Sequence, residues 1–145
     1  MSRTSIDDVL EAARARLDRV RPRDVAAAQR DGALVLDTRS SDALRREGVI
    51  PGSLHIPLSV LGWRVDPGTD PTFRNPHVGG LDRHLVLVCA HGFSSSLAAC
   101  LLQHLGFTRA TDLEGGFEAW IAEGLPLVAA PPEPHVPGMG DPAPP

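Results

Sequence analysis

The chain reads as an α/β domain, a parallel sheet covered by helices on both faces. Two observations predict it. Short apolar runs, ALVLD from residue 33 and LVLV from residue 85, each empty into a polar turn, as strands buried on both faces do. Helical patterns separate and follow these runs, so strands and helices alternate at the intervals of βαβ units. At 145 residues a single domain is expected, burying roughly two thirds of the surface of its unfolded chain.

Each element has a local reason. Ser5 with Asp8 three residues on has the form of a capping box, opening a helix to about Leu17 with Ile6, Val9, Leu10, Ala13 and Leu17 on one face. This helix reads as an N-terminal extension, residues 1–19. Pro22 suits the first turn of a second helix that runs to about Arg30 and stops near Gly32. A strand over 33–39 and a short helix from Ser41 to Glu47 follow. Gly and Pro interrupt GVIPGSLHIPL, leaving a brief strand at Ser53 to Ile56. A helical turn is expected from Leu58 to Arg64. Residues 65–80 hold three prolines and three glycines and form the longest internal loop, of the kind that is often functional or mobile. The strand at 85–88 leads into a helix in which Leu97, Leu101 and Leu105 recur every fourth residue and Gly106 ends the pattern. A last strand, Ala110 to Leu113, and a last helix, Phe117 to Glu123, complete the domain at about residue 127. Residues 128–145 contain seven prolines in eighteen positions and little to bury, so they read as a disordered or extended tail that could offer a protein partner a preformed segment.

Composition narrows the function. The formal net charge is −4 and no basic stripe is present, which argues against nucleic acid. All 14 basic residues are arginine. Two cysteines make no disulfide framework. The first residues carry acids where a secretory signal needs an apolar core, and no run reaches the ~18 apolar residues of a membrane span. A cytoplasmic protein without membrane contact is expected.

Cys89 stands where an apolar strand stops and a turn toward a helix begins, the place at which open α/β sheets set their ligands. A thiolate is the nucleophilic form, and backbone amides with the positive end of a helix lower a thiol's pKa. The stretch CAHGFSS, residues 89–95, could supply both. Gly92 permits a positive φ and hence an inward-turned nest of N–H groups, and Ser94 or Ser95 could cap the following helix. Cys100 reads as a core residue. A zinc site on Cys89 and His91 lacks a second pair of ligands, so no metal is expected.

Four segments in order, LVLDTR at 34–39, EGVIPGSLHIPL at 47–58, VCAHGFSSSLAACLLQHLGF at 88–107 and LEGGFEAWIAEGLPL at 113–127, resemble the single-domain rhodaneses, a family of sulfurtransferases. The resemblance covers roughly residues 20–127. It implies a five-stranded parallel sheet and an active loop of six residues beginning at the nucleophile Cys89. Ala90, His91, Gly92, Phe93, Ser94 and Ser95 would line the pocket. A persulfide on Cys89 would carry sulfur from a small-molecule donor, thiosulfate or a low-molecular-weight persulfide, to a thiol or cyanide, with no cofactor. Asp37 and Arg39, at a strand end, are candidates for substrate contact or for an ion pair holding the loops. Val49 stands where many relatives have histidine, and Ser94 where many have arginine. Without that loop cation, attraction of a dianion is weak and a persulfide donor is favoured, with Arg64 as the candidate replacement cation. A phosphatase or arsenate reductase would need an arginine six positions after the cysteine, where Ser95 stands. The other alternative is a non-enzymatic module that binds a partner or senses oxidants.

Overall fold

A computed structural model of the chain describes residues 2–131. In chain order the elements are α1 (Ile6–Arg14), α2 (Val25–Arg30), β1 (Leu34–Asp37), α3 (Ser41–Glu47), β2 (Leu54–His55), α4 (Leu61–Val65), β3 (Leu85–Val88), α5 (Ser94–His104), β4 (Ala110–Asp112) and α6 (Gly116–Ala122). Single 3₁₀ turns at Pro22–Asp24 and Leu58–Val60 lead into α2 and α4. The sheet order is β2-β1-β3-β4, every pair parallel, with Val35 opposite Val86 and Leu87 opposite Asp112.

Alternate residues of the wholly buried strands point to opposite faces. Leu34, Leu36, Leu85, Leu87 and Ala110 pack on the side of α4 and α5, with Leu61, Val65, Ala98, Ala99 and Leu102. Val35, Val86 and Val88 face Val25 of α2 and Phe117 and Trp120 of α6. Each fully buried Val, Leu or Phe contributes roughly 1.5–3 kcal/mol, so these two layers, one on each face, anchor the strand ends from which the site is built.

Among the described residues the sheet has four strands rather than five. The expected fifth is reduced to one residue, Val20, which makes a parallel bridge to Leu113 by donating to Asp112 O and accepting from Glu114 N. It goes no further because Pro22 lacks an N–H and begins the 3₁₀ turn.

The capping box forms as expected: Ser5 Oγ accepts from Asp8 N and Asp8 accepts from Ser5 N. Helical hydrogen bonding ends at Arg14, short of Leu17. Only the C-terminal part of the apolar stripe is buried, at Ala13 and Leu17, whereas Ile6 and Val9 are exposed. On α5 the buried side is Ser95, Ser96, Ala98, Ala99 and Leu102, and Leu101 is half exposed. Small residues allow the helix to lie close to the sheet, so the leucine stripe at fourfold spacing is not its core face.

The long loop is ordered by its own side chains. Arg74 donates to the carbonyls of Val65 and Gly79, Asn75 N donates to Arg64 O, and Val78 is fully buried. At the C-terminal end Val128 exchanges two backbone hydrogen bonds with Val49, so ordered pairing runs one residue into the segment read as tail. The rest of that segment, from residue 132, lies outside the described residues.

Candidate active site

Cys89 directly follows β3, and its side chain is held in a cup of backbone. Gly92 N lies 3.1 Å and Ser95 N 3.4 Å from Sγ, and Ser95 Oγ lies 3.2 Å away. Gly92 has φ +83°, which lets its amide turn inward. Burial pushes the thiol pKa up, but hydrogen bonds from the Ser95 and Ser94 side chains and from the Ser95 and Gly92 amides outweigh it, so the pKa lies below its ordinary value. Neither serine caps α5. The N-cap is Phe93 without a side-chain bond, and an N–H that a cap would have covered faces the sulfur instead.

The remaining loop amides are aimed by what holds the carbonyls. In a trans peptide unit the C=O and the next residue's N–H point in opposite directions, and no peptide bond among the described residues is cis. Cys89 O accepts from Phe117 N at 2.8 Å and Ala90 O from Glu118 N at 3.0 Å. Gly92 O accepts from Arg14 Nη2 at 2.7 Å and Arg19 Nη2 at 3.2 Å. The N–H groups of Ala90, His91 and Phe93 therefore point away from these anchors, and none of the three donates to an acceptor among the described residues. The first turn of α6 approaches the loop backbone to backbone. A Cβ at Gly116 would stand 2.6 Å from both Cys89 O and Gly92 N, so only glycine fits.

Behind the cup lies a network the sequence did not disclose. Asp112, fully buried at the end of β4, accepts from Ser95 Oγ and Ser96 Oγ at 2.7 Å each. It also accepts from Arg19 Nε at 2.8 Å and Nη2 at 3.2 Å. Arg14 adds a bond to Ser96 Oγ at 3.2 Å and lies over the Phe93 ring. Four residues missed in the sequence, Arg14, Arg19, Ser96 and Asp112, thus support the loop. The one available signal was the polar Asp112 ending a buried strand.

Of the residues singled out, Gly92 and Ser95 contact Sγ, the Ser94 side chain helps lower its pKa, and Ala90 is an exposed residue of the same loop. His91 is exposed and its Nδ1 pairs with Glu118 Oε2 at 2.7 Å; Phe93 is exposed at the rim. Asp37 and Arg39 make a buried ion pair, with Nη2 at 2.7 Å from Oδ2 and Nε at 3.0 Å from Oδ1. Arg39 also donates to Gly48 O and stacks on Phe117 at 3.5 Å from the ring centre. Beside the loop opens a cleft of about 310 Å³ lined by Ala90, His91, Phe117, Glu118 and Ile121 with Arg39 and Glu47. Arg64, half-buried on α4, is not among its lining residues. Cys100 is partly buried and unpaired.

A parallel sheet covered by helices on both faces, with a cysteine set in a cup of backbone between the end of one strand and the head of the next helix, defines a class of α/β domain that carries a cysteine loop at the sheet's end. Within that class the chain belongs to the rhodanese-like family: residues 21–123 match the Rhodanese-like domain model. It is 35% identical to the Thiosulfate sulfurtransferase GlpE of Pseudomonas syringae pv. syringae, over 70% of this chain and 85% of that protein. To a Sulfurtransferase of Allochromatium vinosum it is 29% identical over 70% of this chain and 84% of that one. Among solved structures, a Rhodopseudomonas palustris protein of unknown function described as a possible tyrosine phosphatase is similar, at TM-score 0.76 and 30% identity, covering 88% of this chain and 99% of that one. The human single-domain sulfurtransferase TSTD1 is similar at TM-score 0.61 and 27% identity, covering 72% and 96%.

Proposed function

We propose that this chain is a sulfurtransferase that moves a sulfane sulfur from thiosulfate or a low-molecular-weight persulfide to a thiol or cyanide through a persulfide on Cys89. The observation that carries the reading is the cup: the Gly92 and Ser95 amides lie 3.1 and 3.4 Å from a thiol of lowered pKa, in a loop whose Ala90, His91 and Phe93 amides donate to no acceptor among the described residues. The names of the sulfurtransferase relatives support the same chemistry.

In the first step the Cys89 thiolate attacks the outer sulfur of the donor. The new S–S bond forms as the donor's own S–S bond breaks, and sulfite or the donor thiolate leaves with the electron pair. Cys89 then carries a persulfide anion, whose charge the amides of Ala90, His91 and Phe93 suit, because fixed dipoles need no reorganisation as charge moves to the outer sulfur. In the second step an acceptor thiolate or cyanide attacks that outer sulfur, and the Cys89 thiolate is restored. Splitting the transfer this way replaces one difficult displacement by two easier ones.

A phosphatase reading, raised by the name of the R. palustris neighbour, has less support. Six positions after the cysteine stands Ser95, whose hydroxyl lies against a carboxylate, not an arginine that could hold a phosphate oxyanion.

The test is intact mass spectrometry after incubation with thiosulfate and with a small persulfide. A gain of one sulfur, about 32 Da, located on Cys89 and removed by reductant or cyanide is expected. An unchanged mass with both donors would reject the proposal.

A further inference from the structure

Ser95 has one hydroxyl proton and two neighbours that want it: Asp112 Oδ2 at 2.7 Å and Cys89 Sγ at 3.2 Å. While the thiol is protonated, S–H can donate to Ser95 Oγ and Ser95 to Asp112. Once the thiol has lost its proton to solvent, the same hydroxyl must turn toward the sulfur, because the thiolate no longer donates and accepts instead. The cost of that turn is set at Asp112. The carboxylate is fully buried, yet it keeps Ser96 Oγ and two N–H groups of Arg19 when Ser95 leaves. Without Arg19 it would be an uncompensated buried anion two hydrogen bonds from the thiolate, and like charges that close disfavour each other's ionised forms.

We propose that Arg19 and Asp112 are positioning residues for Cys89: the arginine balances the buried carboxylate, and the balanced carboxylate holds Ser95 where its hydroxyl passes to the sulfur as the thiol ionises. Arg19 lies before the stretch 21–123 that matches the family model, so this device reaches the active loop from outside it. The other charged groups around the loop make no contact with the Asp112 carboxylate. Arg14 of α1 is bound to Gly92 O and to Ser96 Oγ, Arg39 just past β1 to Asp37, and His91 to Glu118 of α6.

The inference rests on Cys89 as the nucleophile, but its test reads ionisation rather than sulfur transfer. In a Cys100→Ser background Cys89 is the only thiol, and its alkylation by iodoacetamide is followed against pH. Arg19→Gln is expected to raise the midpoint by on the order of one pH unit, and Arg19→Lys, which keeps the charge, to stay near the parent. Asp112→Asn is expected to lower the midpoint, because the arginine is then unbalanced, and Ser95→Ala to raise it. A purely structural role would loosen the loop in both charge variants and move both midpoints the same way. Shifts of equal sign, or none, overturn the proposal. Should one charge variant not fold, the other decides together with Ser95→Ala, and a midpoint on the wrong side of the parent in either refutes it. Midpoints of the expected signs without any sulfur gain would uphold this inference and reject the sulfurtransferase reading.

Discussion

Cys89 is only 7% exposed, yet its pKa is lowered because the groups nearest its sulfur are donors. A lowered acid pKa means that the thiolate is populated at lower pH. The acidic limb of kcat/KM is therefore expected to have its midpoint below that of an unperturbed thiol, with activity level above it and lost as pH falls through it. A midpoint at or above that of a small free thiol measured alongside would contradict the geometry. Cys89→Ser is expected to lower sulfur transfer by on the order of a thousandfold or more, since a serine hydroxyl is far less nucleophilic at neutral pH, while the melting temperature barely moves; Cys100→Ser should leave turnover intact. The charges near the loop also bear on the donor. Arg14, Arg19 and Arg39 all have acceptors, and Glu47 and Glu118 line the partly apolar cleft. A low-molecular-weight persulfide is therefore expected to show higher kcat/KM than thiosulfate, and Ser94→Arg to raise thiosulfate turnover several-fold relative to it, about 1 kcal/mol of charge stabilisation. Steady-state kinetics with both donors at moderate salt decide this, and a wild-type preference for thiosulfate refutes it.

At the scale of elements, the loop owes its shape to α6 and α1. Gly116→Ala would drive a Cβ into Cys89 O and Gly92 N at a residue whose φ is +65°. A loss of about 2–4 kcal/mol is expected, visible as a lower melting temperature together with slower Cys89 alkylation. Arg14→Ala removes two bonds to the loop and its helix and is expected to reduce kcat/KM several-fold with only a small change in melting temperature. Equal turnover in this variant would show that the Gly92 carbonyl is held well enough without α1. Truncation after Ala130 should leave melting temperature and turnover unchanged, whereas truncation after Leu127 removes the Val49–Val128 pairing and should lower the melting temperature slightly.

For the whole molecule, what could be read in the chain was what is local. Strand runs, the capping box, the Cys89 junction and the positive φ of Gly92 each depend on a few adjacent residues, and each is found where expected. The support of the site depends on contacts between residues far apart in sequence: Arg19 meets Asp112 across 93 positions and Arg14 meets Gly92 across 78. Isolated arginines in a chain rich in them read as solvated surface, and nothing in their spacing names a partner. The same limit applies to the sheet, where a fifth strand was expected and a single bridge is found, because Pro22 acts locally but the pairing of Val20 does not. Among the described residues no helix is long and apolar enough to cross a membrane.

That single bridge has a further consequence at the margins of the sheet. The outer side of β4 already gives and receives hydrogen bonds through Val20, and the opposite margin, β2, is two residues long between Pro51 and Pro57. A long, flat, unpaired margin is what lets a foreign strand add to a sheet and seed aggregation. Here one margin is covered and the other is too short to act as a template. The central strands, among the most hydrophobic segments of the chain, are therefore offered to a neighbour along neither margin of the described sheet.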